Sequence, residues 1–388
     1  MNNITEHPTE SKSFLGHPIV TWLKVLFFIY VLLLAVGMIG GGFKWASGGT
    51  EGVKKLFTFA TNPFMGLIMG TMATALIQSS STVTSVIVAL CAGGMPVTIA
   101  VPMIMGANIG TTITNTLVSL GHISDKEEFK RAFSAATVHD FFNVISVVVF
   151  LPIEIMFHPL EKMGYWLANM FIGGQSLSMG NLNFLKAITK PVISGVSSGL
   201  KLIPHPFGAI LLIILGLICI FLSIFFIGKL LKKVLIGRAE KMFHTAIGRG
   251  PISGIFSGTI VTVLVQSSST TTSLVVPLAG SGIIDIKKVY PFALGANIGT
   301  CITALLAATA VSGGGALFAL QIALIHFLYN FIGVILIFGV PFTRNTPIMC
   351  SEWLAQLASE RKLYALAYIA SVFFIIPGIF MGTYYLFN

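Results

Sequence analysis

The chain has 388 residues, of which 55% are hydrophobic and only 9% charged, with a net charge of +10. A soluble domain carries roughly 25% charged residues, so these figures exclude a large soluble domain and point to a polytopic membrane protein. The positive charge is not a nucleic-acid signal, because the basic residues flank apolar runs, as expected for loops on the cytoplasmic side of a membrane.

In chain order, residues 1–20 are polar and read as a cytoplasmic N-terminus with no cleaved leader. Residues 22–43 form the first apolar run of spanning length, about 20 residues being needed. Residues 97–120 and 132–157 follow, and 207–230, 289–311, 316–340 and 363–387 complete the set. Two further apolar stretches are too short to cross. Each runs for about fifteen residues, meets a serine cluster, and resumes only briefly: from Pro63 to Gln78 and on to Gly94, and from Ile252 to Gln266 and on to Gly282. An arm of that length covers about 22 Å as a helix, less than the roughly 30 Å of a bilayer core. The economical reading is two re-entrant helical hairpins with serines at their tips. Irregular backbone at that depth must be buried in protein or line a cavity.

The two stretches are copies. Residues 66–85 and 254–273 are identical at 12 of 20 positions, and Gln78, Ser79, Ser80, Ser81 and Thr82 return as Gln266, Ser267, Ser268, Ser269 and Thr270. The sequence GANIGT at 106–111 returns at 295–300, and His139 and Asn143 are echoed by His326 and Asn330. Landmarks repeated in one order at drifting spacing mark an internal duplication. Each half reads span, hairpin, span, span; three crossings are odd, so the halves insert upside down relative to one another. The expected fold is therefore all-α and polytopic, with two inverted-topology repeats. Repeat 1 covers residues 21–157 (hairpin 62–95) and repeat 2 covers 207–341 (hairpin 250–283). An extracytoplasmic linker, 158–206, joins them, and 342–388 supply a loop and a last span. With the N-terminus inside, 16 Lys and Arg fall on the inner face and 7 on the outer, which agrees with that orientation. The linker has room for an interfacial helix, and the basic segment 229–249 is suited to anionic lipid or to a solvated inner loop.

A serine tip offers hydroxyls that donate and accept, and the helix starting after it presents free N–H groups and the positive end of its dipole. Such a terminus suits an anion, and the same oxygens suit a hard cation. Asn108, Thr111, Asn297 and Thr300 in the GANIGT segments read as walls facing the tips, with the glycines allowing close helix approach. Asp140 lies about eight residues into its apolar run, and a carboxylate at that depth suggests an ion pathway. Its counterpart in the second repeat is Phe327. His139 and His326 read as structural histidines. The four cysteines read as small apolar residues. The GxSxG match at 195–199 lies in a helical linker and not between a strand and a helix. Ser80, His139 and Asp140 do not form a triad, because neighbouring helical residues face apart. No enzymatic activity is expected.

These paired motifs, with the stretch ATVHDFFN at 136–143, resemble the type II sodium-dependent phosphate cotransporters and their short bacterial members. The resemblance covers about residues 60–157 and 205–345. It implies sodium-driven uptake of inorganic phosphate across the plasma (inner) membrane, with Gln78–Thr82 and Gln266–Thr270 forming the substrate and sodium sites. It also implies that Asp140, at the place of the aspartate in electrogenic members, serves an additional sodium ion. The outer linker lacks the cysteines that animal members pair there. No Lys or Arg lies in the serine arms or GANIGT stretches, so a divalent anion there needs cations beside it. The partners expected are phosphate, sodium as the coupling ion and membrane lipid. No cofactor and no nucleic acid are expected, and a homo-oligomer is left open. Another small oxyanion, or a non-concentrative channel, are the alternatives.

Overall fold

A computed structural model describes residues 18–49, 52, 62–173, 179–247, 250–311 and 313–387. The expected N-terminal segment therefore lies mostly outside the described residues, as do the side chains of 232–249 in the basic segment. Seven helices among the described residues are long and apolar enough to cross a membrane, and the chain is a multi-pass, all-α membrane protein. The three apolar helices of 10–17 residues are Pro63–Ile77, Ser80–Gly93 and Pro251–Val265, all of them arms of the two short stretches.

The first half contains α1 (Pro18–Ala46), α2 (Pro63–Ile77), α3 (Ser80–Gly93), α4 (Val97–Gly110), α5 (Ile113–Ser119) and α6 (Lys126–Phe157). Asn62 caps α2, accepting from Phe64 N at 2.9 Å, with Pro63 in the first turn where its missing N–H costs nothing. Asp125 likewise caps α6, accepting from Glu128 N at 2.8 Å. The span expected over 97–120 is present as Val97–His122, with a turn at Thr111 and Thr112 between α4 and α5. Thr111 Oγ1 donates to Ala107 O and Thr112 Oγ1 to Ile109 O, both at 2.8 Å, and the backbone leaves the α-helix between Gly110 and Ile113.

The linker holds two helices, α7 (Pro159–Gly173) and α8 (Met179–Leu200). The buried Glu154 starts the first by accepting from Leu160 N and Glu161 N at 2.8 and 3.0 Å. The second half contains α9 (Phe207–Ile247), α10 (Pro251–Val265), α11 (Ser268–Ser273), α12 (Val275–Gly280), α13 (Ile286–Thr309) and α14 (Ala316–Gly333). The second hairpin's return arm is split at Leu274. Pro277 has no N–H for Ser273 O, four residues back, and its ring crowds that carbonyl. The expected loop after residue 341 is instead mostly α15 (Thr346–Glu360), whose Leu354, Ala355 and Ala358 pack on Phe129 and Phe133 of α6. The last span comprises α16 (Leu363–Ala370), a π-helical stretch Ser371–Ile375 and α17 (Ile376–Phe387). Pro377 sits four residues beyond Phe373, so the ladder slips there into wider turns.

Glycines bring each hairpin onto its own wall. A Cβ on Gly70 would lie 2.0 Å from Met103 O, and one on Gly106 would lie 1.9 Å from Leu67 O. In the second half a Cβ on Gly258 would lie 2.0 Å from Phe292 O, and one on Gly295 would lie 1.9 Å from Ile255 O. Thus α2 lies against α4, and α10 against α13, at backbone contact.

Candidate functional site

Both tips share one local fold. Gln78 (φ 55°) and Gln266 (φ 57°) end their first arms in the left-handed region. Ser79 and Ser267 return to extended backbone and cap the next helix, accepting from Thr82 N and Thr270 N at 3.2 Å each. The next two N–H groups of each return arm precede the first helical hydrogen bond. Ser80, Ser81 and Thr82 are buried, as are Ser268 and Ser269, whereas Ser79, Ser267 and Thr270 are half-buried.

The tips cross between halves. The return arm α3 packs against α13, and α11 and α12 pack against α5. Ser269 Oγ donates to Thr111 O at 3.3 Å and Ser273 Oγ to Asn115 Oδ1 at 3.1 Å, while Thr272 Oγ1 lies 2.9 Å from the same Oδ1 and shares its proton with Ser268 O at 2.7 Å. The glutamines differ. Gln266 is half-buried and accepts from Thr303 Oγ1 at 3.0 Å. Gln78 is exposed, and Thr114 Oγ1, the equivalent of Thr303, is buried with no partner.

Behind the tips lies a second mirrored set. Asn108 Nδ2 donates to Asn330 Oδ1 at 3.0 Å, and His326 Nε2 reaches Asn108 Oδ1 at 3.3 Å. Asn297 Nδ2 donates to Asn143 Oδ1 at 2.8 Å, and His139 Nε2 reaches Asn297 Oδ1 at 2.7 Å. Both wall asparagines are therefore fully engaged with the opposite half. Thr300 Oγ1 donates to Ala296 O at 3.0 Å, matching Thr111 on its own helix. The histidines, given no role from sequence, are the cross-half partners; their recurrence with an asparagine four residues on was the available signal.

Asp140 is not among the tips. Its Oδ2 accepts from Tyr368 Oη at 3.2 Å and lies 3.3 Å from Thr116 Oγ1, whose one proton Thr112 O also accepts at 3.1 Å, while Oδ1 has no partner. Neither His139 nor Asn143 serves it. Eleven buried polar side-chain atoms among the described residues lack a partner, and seven belong to this region: Thr74, Ser85, Thr114, His139, Asp140, Thr262 and His326. Buried polar atoms are rarely left unpaired, and a cluster of them can complete itself on ions or water. A cavity of about 210 Å³ between α1, α9 and α10 reaches Gln266 and Thr303.

A sequence model of the Na+/Pi-cotransporter family matches the chain over residues 31–179 and 209–358, one segment in each half. The chain belongs to the Na+/Pi-cotransporter family. Among similar proteins, Sodium-dependent phosphate transport protein 2B of Homo sapiens is 32% identical over 445 residues, covering 92% of this chain and 64% of that protein. Sodium-dependent phosphate transport protein 2A of Ovis aries is 33% identical over 441 residues, covering 94% and 68%. The chain thus spans a little under two thirds of the 2B protein it matches. No solved structure gives a significant match. Within this family assignment, both serine tips and both GANIGT walls fall inside the matched segments, while Tyr368 falls beyond them.

Proposed function

We propose that the chain is a sodium-coupled importer of inorganic phosphate, acting by alternating access between two inverted repeats. The carrying observation is the tip itself: a left-handed glutamine, a serine cap and free helical N–H groups, built twice, each set against the other half's wall. The N–H groups and hydroxyls of Ser80, Ser81, Ser268 and Ser269 bind the anion, and serine, threonine and glutamine oxygens bind sodium. Residues 62–125, 250–286 and 289–343 contain no Lys or Arg. The anion's charge is balanced there by co-bound sodium, which couples the two fluxes. The names of the similar proteins support the same substrates. The wall asparagines hold the halves in register around the ions and touch the ions less than the tips do. Asp140, with a bare oxygen in an apolar helix, takes one further sodium, so that net charge moves with each phosphate. The N-terminus is cytoplasmic, and the membrane is the plasma (inner) membrane.

Radiolabelled phosphate uptake into proteoliposomes tests this. An inward sodium gradient is expected to drive accumulation above the outside concentration, which ceases when the gradient is dissipated. Flux indifferent to the gradient would make the protein a channel, and preference for sulfate or a dicarboxylate would reassign the anion. Ser80→Ala and Ser268→Ala are each expected to raise the half-saturating phosphate or sodium concentration about tenfold, the cost of one hydrogen bond to a charged group.

A further inference from the structure

The last span lies beyond residue 358, where the family match ends, yet it delivers one polar atom to the site. Tyr368 Oη donates to Asp140 Oδ2 at 3.2 Å, while Thr116 Oγ1, 3.3 Å from the same oxygen, shares its one proton with Thr112 O at 3.1 Å. Asp140 is 1% exposed and its Oδ1 meets no donor. Tyr368 is thus the one donor that Oδ2 does not share with a backbone carbonyl, and the other oxygen is left bare. The rest of the tyrosine's surroundings are aromatic: its ring centroid lies 6.4 Å from that of Phe133, 6.2 Å from Phe141 and 6.5 Å from Phe373. A phenylalanine would satisfy all three ring contacts, so Asp140 alone accounts for the hydroxyl. The π-helical stretch Ser371–Ile375 begins three residues later. Such widened turns recur at functional sites.

We propose that Tyr368 is a positioning residue for cation binding at Asp140. Its hydroxyl holds Oδ2, so that Oδ1 is presented to an alkali cation. The C-terminal span is thereby part of the cation site and not only an anchor. This inference rests on the reading of Asp140 as a sodium site given above.

The test uses the full chain in proteoliposomes, with current and phosphate flux recorded together at varied sodium for Tyr368→Phe, Asp140→Gly and the double variant. Tyr368→Phe is expected to raise the half-saturating sodium concentration on the order of tenfold, as the loss of a hydrogen bond to a charged group predicts. The half-saturating phosphate concentration at saturating sodium should stay unchanged. In the Asp140→Gly background the same substitution should shift nothing. A purely structural tyrosine would instead lower the amount of folded protein and leave sodium half-saturation alone. An unchanged sodium dependence in Tyr368→Phe overturns the proposal, as does a shift that persists without Asp140. Unaltered charge per phosphate in Asp140→Gly alone would overturn the parent reading, and that result is visible without any tyrosine variant.

Discussion

Hydrogen-bond bookkeeping at Asn108 and Asn297 assigns the state of both histidines. Each asparagine donates through Nδ2 to an asparagine of the other half, so each Oδ1 must accept from a histidine Nε2–H. The proton then sits on Nε2, and Nδ1 of His139 and of His326 is left as an unpaired acceptor. Asn143→Ala would strand Asn297 Nδ2 and release Asn108 O, which its own Nδ2 holds at 2.8 Å. The expected cost is about 1–3 kcal/mol per stranded group, seen as a lower Tm in detergent. Asn297→Ala combined with Asn143→Ala should cost less than the sum, because the two share one bond; strict additivity would refute the clamp. The sequence displayed the repeated histidine and asparagine as landmarks but not their use, since their partners lie 154 to 222 residues away. For Asp140 the sequence offered only neighbours, His139 and Asn143. One helical step turns a side chain by about 100°, and the real partners, Thr116 and Tyr368, stand on other helices.

At the scale of the element, the short helical arms were legible because they fell below spanning length and because everything appeared twice. Their close fit was legible too, in the glycines spaced four apart. Gly106→Ala and Gly295→Ala place a methyl group inside a backbone carbonyl of the facing arm, where no flexible side chain can yield. Each is expected to cost about 1–3 kcal/mol or more through forced backbone displacement, with lower Tm and lower phosphate uptake. Gly121→Ala and Gly195→Ala, with nothing within 4 Å of the added carbon, should leave both unchanged. Equal behaviour of the two pairs would show that the hairpins are not held by these contacts. What the sequence hid were breaks set by single residues inside apolar runs. Pro277 splits the second return arm, and Pro377 widens the last span. Mean hydropathy does not register a missing N–H.

For the whole molecule, the consequence of duplication is that each serine tip packs against the other half. The tip of repeat 2 rests on Asn115 and Thr111 of repeat 1, and the return arm of repeat 1 rests on α13. The symmetry is also imperfect: Gln266 is tied to Thr303, whereas Gln78 is exposed and Thr114 is unpaired. In the alternating-access cycle proposed above, the halves exchange roles, and two copies of one turn in two arrangements suit such an exchange. If so, the contact between Thr272 and Asn115 must loosen once per turnover. In a background with Cys91, Cys219, Cys301 and Cys350 replaced, the pair Asn115→Cys and Thr272→Cys should cross-link on mild oxidation, since their native side-chain tips meet at 2.9 Å. Uptake should then stop and return on reduction, while either single variant is unaffected by the oxidant. Full uptake by fully cross-linked protein would mean that this contact stays closed throughout the cycle, and the motion would have to be sought between the paired scaffold helices α1 and α9 and the hairpins they flank.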